Sequence, residues 1–185
     1  MKHRVTLVVF LTFIAIFGLL FWKTEGDRTP PLVALSESTK SGQKRVAPDF
    51  ELLDFGGKNY KLSMDQGKVR VVHFWASWCP PCLEEIHEFL AAMKKAKEMG
   101  VVGIAISLDP SWAEAHKIVP SGSFPGGVIS LLDSKQLVSE KFGSFQYPET
   151  YLIGKSGEIL QKFVGPQAWN SDLMRKLLEA AGARN

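Results

Sequence analysis

Apolar and polar positions divide this chain into three stretches. Val5 to Trp22 is uncharged and mostly apolar; Thr24 to Arg45 is rich in Ser, Thr, Lys, Gly and Pro; from Val46 onward, apolar runs alternate with helical and turn patterns. In the third stretch, Val69–Ala76 reads as a buried central strand, the pattern of a sheet covered on both faces. Leu83, Ile86, Phe89, Leu90 and Met93 follow at helical spacing. Glu84, Glu85 and Glu88 stand near the start of that helix and Lys94, Lys95 and Lys97 at its end, an order that complements the helix dipole. Val101–Leu108 predicts a second buried strand, ended by Asp109-Pro110, with a short helix over Ser111–Val119.

The remaining signals are shorter. Weak alternation over Pro48–Leu53, then Gly56-Gly57, then Tyr60–Leu62 predicts a hairpin capping the sheet. Ser121–Gly127 is loop, Val128–Leu132 a short apolar run, and Lys135–Phe142 helical in pattern. Tyr151–Ile153 and Ile159–Val164 flank Gly154-Lys155-Ser156-Gly157 as a second hairpin, and Ser171 caps a last helix carrying Leu173, Leu177 and Leu178. Strands alternating with helices, closed by a hairpin and a helix, give the α/β class with helices on both faces of one sheet. No internal repeat is evident.

The first stretch changes the picture. Eighteen apolar residues span roughly 27 Å as a helix, enough for the hydrocarbon core of a bilayer. Trp22 and Lys23 suit the interface. A cleaved signal peptide is the alternative, but the run is long for one and lacks an A-x-A site. Lys2, His3 and Arg4 precede it, which predicts a cytoplasmic N-terminus and a body facing outward. The organisation expected is an N-terminal membrane anchor over 1–23, a flexible linker over 24–45 and one folded domain over 46–185.

Net charge is +3 with a pI near 8.8. Three of the 22 basic residues, Lys2, Arg4 and Lys23, bracket the apolar run, which leaves 19 against 19 acidic ones. The body is balanced and has no basic cluster with interleaved aromatics, so nucleic acid is not an expected partner.

The chain has two cysteines, placed together in Trp78-Cys79-Pro80-Pro81-Cys82 where the strand meets the helix. A helix N-terminus offers unpaired N–H groups and a positive dipole end, both favouring a thiolate. Cys79 would hold that end and attack a partner disulfide; Cys82, one turn in and more buried, would resolve the mixed disulfide. The two prolines remove N–H donors, which disfavours the thiolate and points to a reductant. A structural zinc site would need four ligands, and neither further cysteines nor an H-x3-5-H pair supplies them. The chemistry expected needs no cofactor beyond the Cys79–Cys82 pair itself.

With these motifs the chain resembles the membrane-anchored, thioredoxin-like reductases of the TlpA and ResA type, which include the cytochrome c maturation thioredoxins. Ala47-Pro48-Asp49-Phe50, Val72 to Glu85 and Tyr147-Pro148-Glu149-Thr150-Tyr151-Leu152-Ile153 carry the likeness, over roughly residues 46–182. It implies a thioredoxin fold with an N-terminal β-hairpin extension and a central helical insertion. It also implies an exposed Cys79 nucleophile, a resolving Cys82 and a cis Pro148. Trp78, Pro80, Pro81, Tyr147 and Pro148 would then contact the substrate, with the Tyr147 backbone pairing with an extended client segment. The implied partners are client proteins with reducible disulfides, apocytochrome c among them, and an integral-membrane electron donor. The implied location is the inner membrane, with the catalytic domain periplasmic.

Two positions depart from the pattern. His73 stands six residues before Cys79, where thioredoxins commonly bury an acid; it either accepts the Cys82 proton or is a core histidine with a satisfied hydrogen bond. His87 replaces a helix proline common in the family, so the helix should run straighter. Glu85, one turn after Cys82, matches a glutamate that tunes the cysteines in ResA-type proteins; the other reading is an acid facing water, as expected for Glu84. Two rival functions share the scaffold. A copper-binding assembly factor would resemble C-x-x-x-C plus a distal histidine, whereas the spacing here is shorter and no histidine follows His116. A peroxiredoxin-like peroxidase would place Thr three residues before its reactive cysteine, where this chain has Ala76.

Overall fold

The computed structural model describes residues 45–183. Both the predicted anchor Val5–Trp22 and the linker residues before Arg45 lie outside them. Among the described residues, no helix is long and apolar enough to cross a membrane.

Five strands form one sheet, in the spatial order 128–132, 101–107, 69–75, 149–153 and 159–164. The central strand β3 (Val69–Trp75) pairs parallel with β4 (Val101–Ser107) and antiparallel with β6 (Glu149–Ile153). All seven residues of β3 are buried, so both of its faces are covered. Arg70, one of its polar members, donates to the carbonyls of Gly154 (2.8 Å) and Leu62 (3.4 Å). At the edges, β7 (Ile159–Val164) joins β6 as a hairpin, and β5 (Val128–Leu132) lies parallel to β4. The apolar run at 128–132 is thus a full sheet strand.

Helix α1 (Pro80–Ala96) buries Cys82, Ile86, Phe89, Leu90 and Met93 and carries Lys94 and Lys95 in its last turn. A 3₁₀ turn (Lys97–Met99) follows, ended by Gly100 at φ 77°, which an L side chain resists. Helix α2 (Trp112–Ile118) lies between β4 and β5, and α3 (Leu137–Phe142) precedes β6. Helix α4 (Asp172–Ala183) starts where expected, with Ser171 Oγ accepting from the Met174 amide at 3.2 Å. Its leucines do not share one face. Met174, Leu178 and Ala181 are buried while Leu173 is 78% exposed. A stripe at i, i+4 and i+7 from Met174 turns Leu173 about a quarter-turn away.

The N-terminal hairpin forms from β1 (Glu51–Leu53) and β2 (Asn59–Lys61) as a separate two-stranded sheet. A bridge between Asp54 and Leu131 ties it beside β5, and Phe50 packs edge-on against Phe142 at 6.0 Å. Upstream, the Arg45 carbonyl already accepts from the Ile159 amide (2.7 Å), and the Ala47 amide donates to Gly157 (2.9 Å).

Helix α1 meets β4 at Gly103. A Cβ there would lie 2.6 Å from Met93 Cβ and 2.7 Å from its Cγ. Gly103→Ala should therefore destabilise by about 1–3 kcal/mol through overpacking. A shift of the urea midpoint at constant m-value checks this, and an unchanged midpoint would mean the helix moves away freely.

Candidate active site

The start of α1 is fixed by the end of β4. Asp109, fully buried, accepts from the Ser77 amide (3.1 Å), Ser77 Oγ (2.6 Å) and Ser107 Oγ (2.7 Å). The Leu108 amide donates to the Trp75 carbonyl (2.9 Å) and the Cys79 amide to that of Ala76 (3.2 Å). The turn 76–79 is thereby held between two strand ends, and Cys79 becomes the N-cap of α1.

Cys79 and Cys82 form a disulfide with their Cα atoms 5.3 Å apart. The resemblance implies an exposed Cys79. In this oxidised state it is 5% exposed against 0% for Cys82, so only an edge reaches solvent, while Trp78 beside it is 54% exposed. Pro80 and Pro81 are exposed and carry no N–H. The first amide of the helix that can reach the sulfur is that of Cys82, 3.3 Å from Cys79 Sγ.

The segment before β6 reaches Trp78, the neighbour of Cys79. The Tyr147–Pro148 bond is cis. The Tyr147 ring meets the Trp78 ring edge-on at 6.1 Å, and its hydroxyl donates to the Ser144 carbonyl (3.1 Å). Glu149, buried, accepts from Ser144 Oγ, Tyr151 OH (3.2 Å) and Lys162 Nζ (3.0 Å). The Gly165 amide donates to the Pro148 carbonyl at 2.9 Å. The residue before Cys79 and the residue before the buried cis Pro148 thus meet through their rings.

His73 and Glu85 are both buried. In register, His73 is opposite Thr150 on β6, and its Nδ1 is 2.9 Å from Thr150 Oγ1. The imidazole stacks on Phe89 at 4.3 Å and meets Trp169 edge-on at 6.1 Å. Burial drives it down to about 3. Glu85 is 3% exposed, which corrects the water-facing reading; Glu84 does face water. Glu85 Oε2 accepts from Trp169 Nε1 (2.9 Å) and the Gln167 amide (2.6 Å). Its Oε1 lies 3.8 Å from His73 Nε2, and neither atom has a hydrogen-bond partner. Burial raises the Glu85 carboxyl above the ordinary value, against the pull of those two donors.

Sequence reasoning missed Asp109, Thr150, Gln167 and Trp169. Asp109 was visible only as the residue that stops a strand. Thr150 stood in a motif already singled out, but only register shows what it faces. Trp169 gave no signal, since 84 positions separate it from Glu85.

A central strand that delivers a C-x-x-C disulfide to a helix start, facing a cis-proline segment from the neighbouring antiparallel strand, defines a thioredoxin-fold thiol–disulfide oxidoreductase. Residues 44–162 match the AhpC/TSA family, and the chain belongs to it. It is 32% identical over 169 residues to the thiol:disulfide interchange protein DsbE of Allochromatium vinosum, covering 87% of this chain and 86% of that one. It is 30% identical over 123 residues to the thiol-disulfide oxidoreductase ResA of Bacillus thuringiensis, covering 66% and 70%. A crystal structure described as a DsbE-type interchange protein from Chlorobium tepidum superposes with a TM-score of 0.67 at 28% identity, covering 78% of this chain and all of that one.

The buried histidine makes an acid-stability test. Below 6.5 the unfolded chain takes up a proton on His73 that the folded chain refuses until about 3. Stability from this residue therefore falls as pH drops through that window, by about 1.4 kcal/mol per pH unit. Glu85, raised by burial, works in the opposite sense, but it is present in both proteins of the comparison. Denaturant midpoints from pH 7 to 4 should fall less steeply in His73→Leu than in the parent; equal slopes would place the acid sensitivity elsewhere.

Proposed function

We propose that this oxidoreductase reduces disulfides of client proteins on the outer side of a cytoplasmic membrane. The observation that carries the direction is the helix start. With prolines at its first two positions, the Cys82 amide is the one N–H of that first turn on Cys79 Sγ. A thiolate there gains little, so the reduced form is not favoured as it is in strongly oxidising dithiol proteins. An oxidising compartment suits such a protein only with an electron supply, which an integral-membrane donor would give.

In this reading Cys79 attacks a client disulfide, and Cys82 displaces the reduced client from the mixed disulfide. Trp78, Pro80, Pro81, Tyr147 and Pro148 border the client, whose extended backbone lies along Tyr147. Apocytochrome c, presenting a C-x-x-C-H that must be reduced before haem attachment, is the client class the resemblance suggests. The proton lost by Cys82 goes to Glu85, one turn along α1. His73 is a poor acceptor, because an imidazole driven to about 3 holds no proton near neutral pH. No further cofactor enters. Val5–Trp22 holds the protein at the membrane, and the linker lets the domain reach its partners.

Copper titration separates the assembly-factor reading, whose C-x-x-x-C spacing is one residue longer than the pair here. Peroxide turnover separates the peroxidase, whose threonine position is Ala76 here.

Cys82→Ser should accumulate mixed disulfides with clients and Cys79→Ser should not; equal trapping by both would reverse or remove the roles. The Cys79–Cys82 potential should lie below about −200 mV, and a value near about −120 mV would make the protein an oxidant. Protease added to intact spheroplasts should degrade the folded domain, while a soluble form beginning after residue 23 would mean that the apolar segment is cleaved.

A further inference from the structure

Glu85 is held asymmetrically. Oε2 takes two N–H donors from the turn between β7 and α4, whereas Oε1 has none and points at the equally unpartnered Nε2 of His73. Two buried polar atoms 3.8 Å apart without a hydrogen bond are costly unless they close onto a shared proton or a water lies between them. The walls of this site are aromatic: Phe89 stacks on His73, and Trp169 packs edge-on against Phe89 at 5.0 Å. The charged and polar groups facing the pair are few. Thr150 reaches from β6, Gln167 and Trp169 from the turn, and Glu88, on the same helix, opposes a negative charge on Glu85. A net charge on the pair is disfavoured in such surroundings, and a neutral acid against a neutral imidazole is the arrangement that avoids it.

We infer that His73 and Trp169 are positioning residues for Glu85: the Trp169 indole N–H, with the Gln167 amide, fixes Oε2, and the neutral His73 Nε2 accepts the proton that Glu85 carries on Oε1. His73 then bears its own proton on Nδ1 and donates it to Thr150 Oγ1. This deepens the reading of Glu85 as the acceptor of the Cys82 proton and rests on it for its use. When the mixed disulfide resolves, the Cys82 S–H bond breaks and its proton passes to Oε1. The sulfur electron pair forms the Cys79–Cys82 bond, and the client leaves as a thiolate. The oxidised protein is left with a protonated Glu85 docked on His73. Reduction of the disulfide by the membrane donor, a dithiol in this scheme, frees Cys82 as a thiolate that recovers that proton. The same turn that clamps Glu85 also binds the Pro148 carbonyl through Gly165, so the client-facing segment and the proton store share one support.

The test reads the pair directly in the oxidised, full-length protein. Nitrogen-15 shifts of His73 should report a neutral ring protonated at Nδ1. Infrared spectra should show a carboxylic-acid band that disappears in Glu85→Gln. Trp169→Phe keeps a ring against Phe89 and Phe163 but removes the N–H, so the Glu85 acid dissociation constant should fall about tenfold. Glu85→Gln can still donate to Nε2 and accept from Trp169, and should leave the His73 tautomer unchanged. A His73 protonated at Nε2 would overturn the inference, as would a Glu85 midpoint unmoved in Trp169→Phe. Thiol absorbance against pH in Glu85→Gln is a separate measurement. If it is unchanged, the proton-acceptor reading of Glu85 fails, while the spectra still decide the positioning.

Discussion

The double register of β3 is the constraint from which the site follows. Pairing with β4 sets Trp75 opposite Ser107, so the strand ends level with Asp109, which ties down the turn to α1. Pairing with β6 sets Phe74 opposite Glu149 and His73 opposite Thr150. Pro148 therefore arrives one residue beyond the end of that ladder, and Tyr147 before it meets Trp78. A slip of one residue on either side would turn His73 to the other face of the sheet and separate Cys79 from the Pro148 segment. Full burial of β3 is what forbids the slip, because its apolar side chains have no solvent face to move onto.

Burial of that strand also explains why its charge-bearing residues are held as they are. Arg70 stays in place by donating to two carbonyls, and its pKa is lowered by the same burial. His73 has one polar contact and lies under Phe89, so it remains neutral. Glu85 approaches from the helix and brings a second titratable group into this apolar layer. The two donors from the 167–169 turn are what make a carboxyl tolerable there, since they satisfy one oxygen while the other lies against His73.

Much of this was legible from local signals. The strand–C-x-x-C–helix junction, the second strand, the closing hairpin and the Ser171 cap depend on residues close in sequence, and the pattern of apolar positions showed them. Residues 128–132 read only as an apolar run, because a parallel edge strand is defined by its partner β4 and not by its own five residues. The last helix was legible, but its inward stripe was not, because leucine at helical spacing does not say which stripe faces inward when methionine and alanine can supply the same face. Glu85 could be placed one turn from Cys82, but its burial comes from Trp169 and Gln167, far along the chain. Which acid on a helix is covered is a tertiary fact.

These constraints converge on Cys82. Cys82 is fully buried, its amide points at Cys79 Sγ, and α1 brings Glu85 one turn beyond it. Deprotonating a buried thiol is costly, since desolvation opposes the thiolate and two prolines deny it helix donors. In the proposed scheme, releasing the client needs a nearby group able to take that proton without leaving a net charge in an apolar layer. A carboxylate becoming a carboxylic acid meets that requirement, whereas an imidazole becoming an imidazolium does not. The residue that sequence position alone suggested as the base, His73, is therefore better suited to receive the hydrogen bond of the acid once formed.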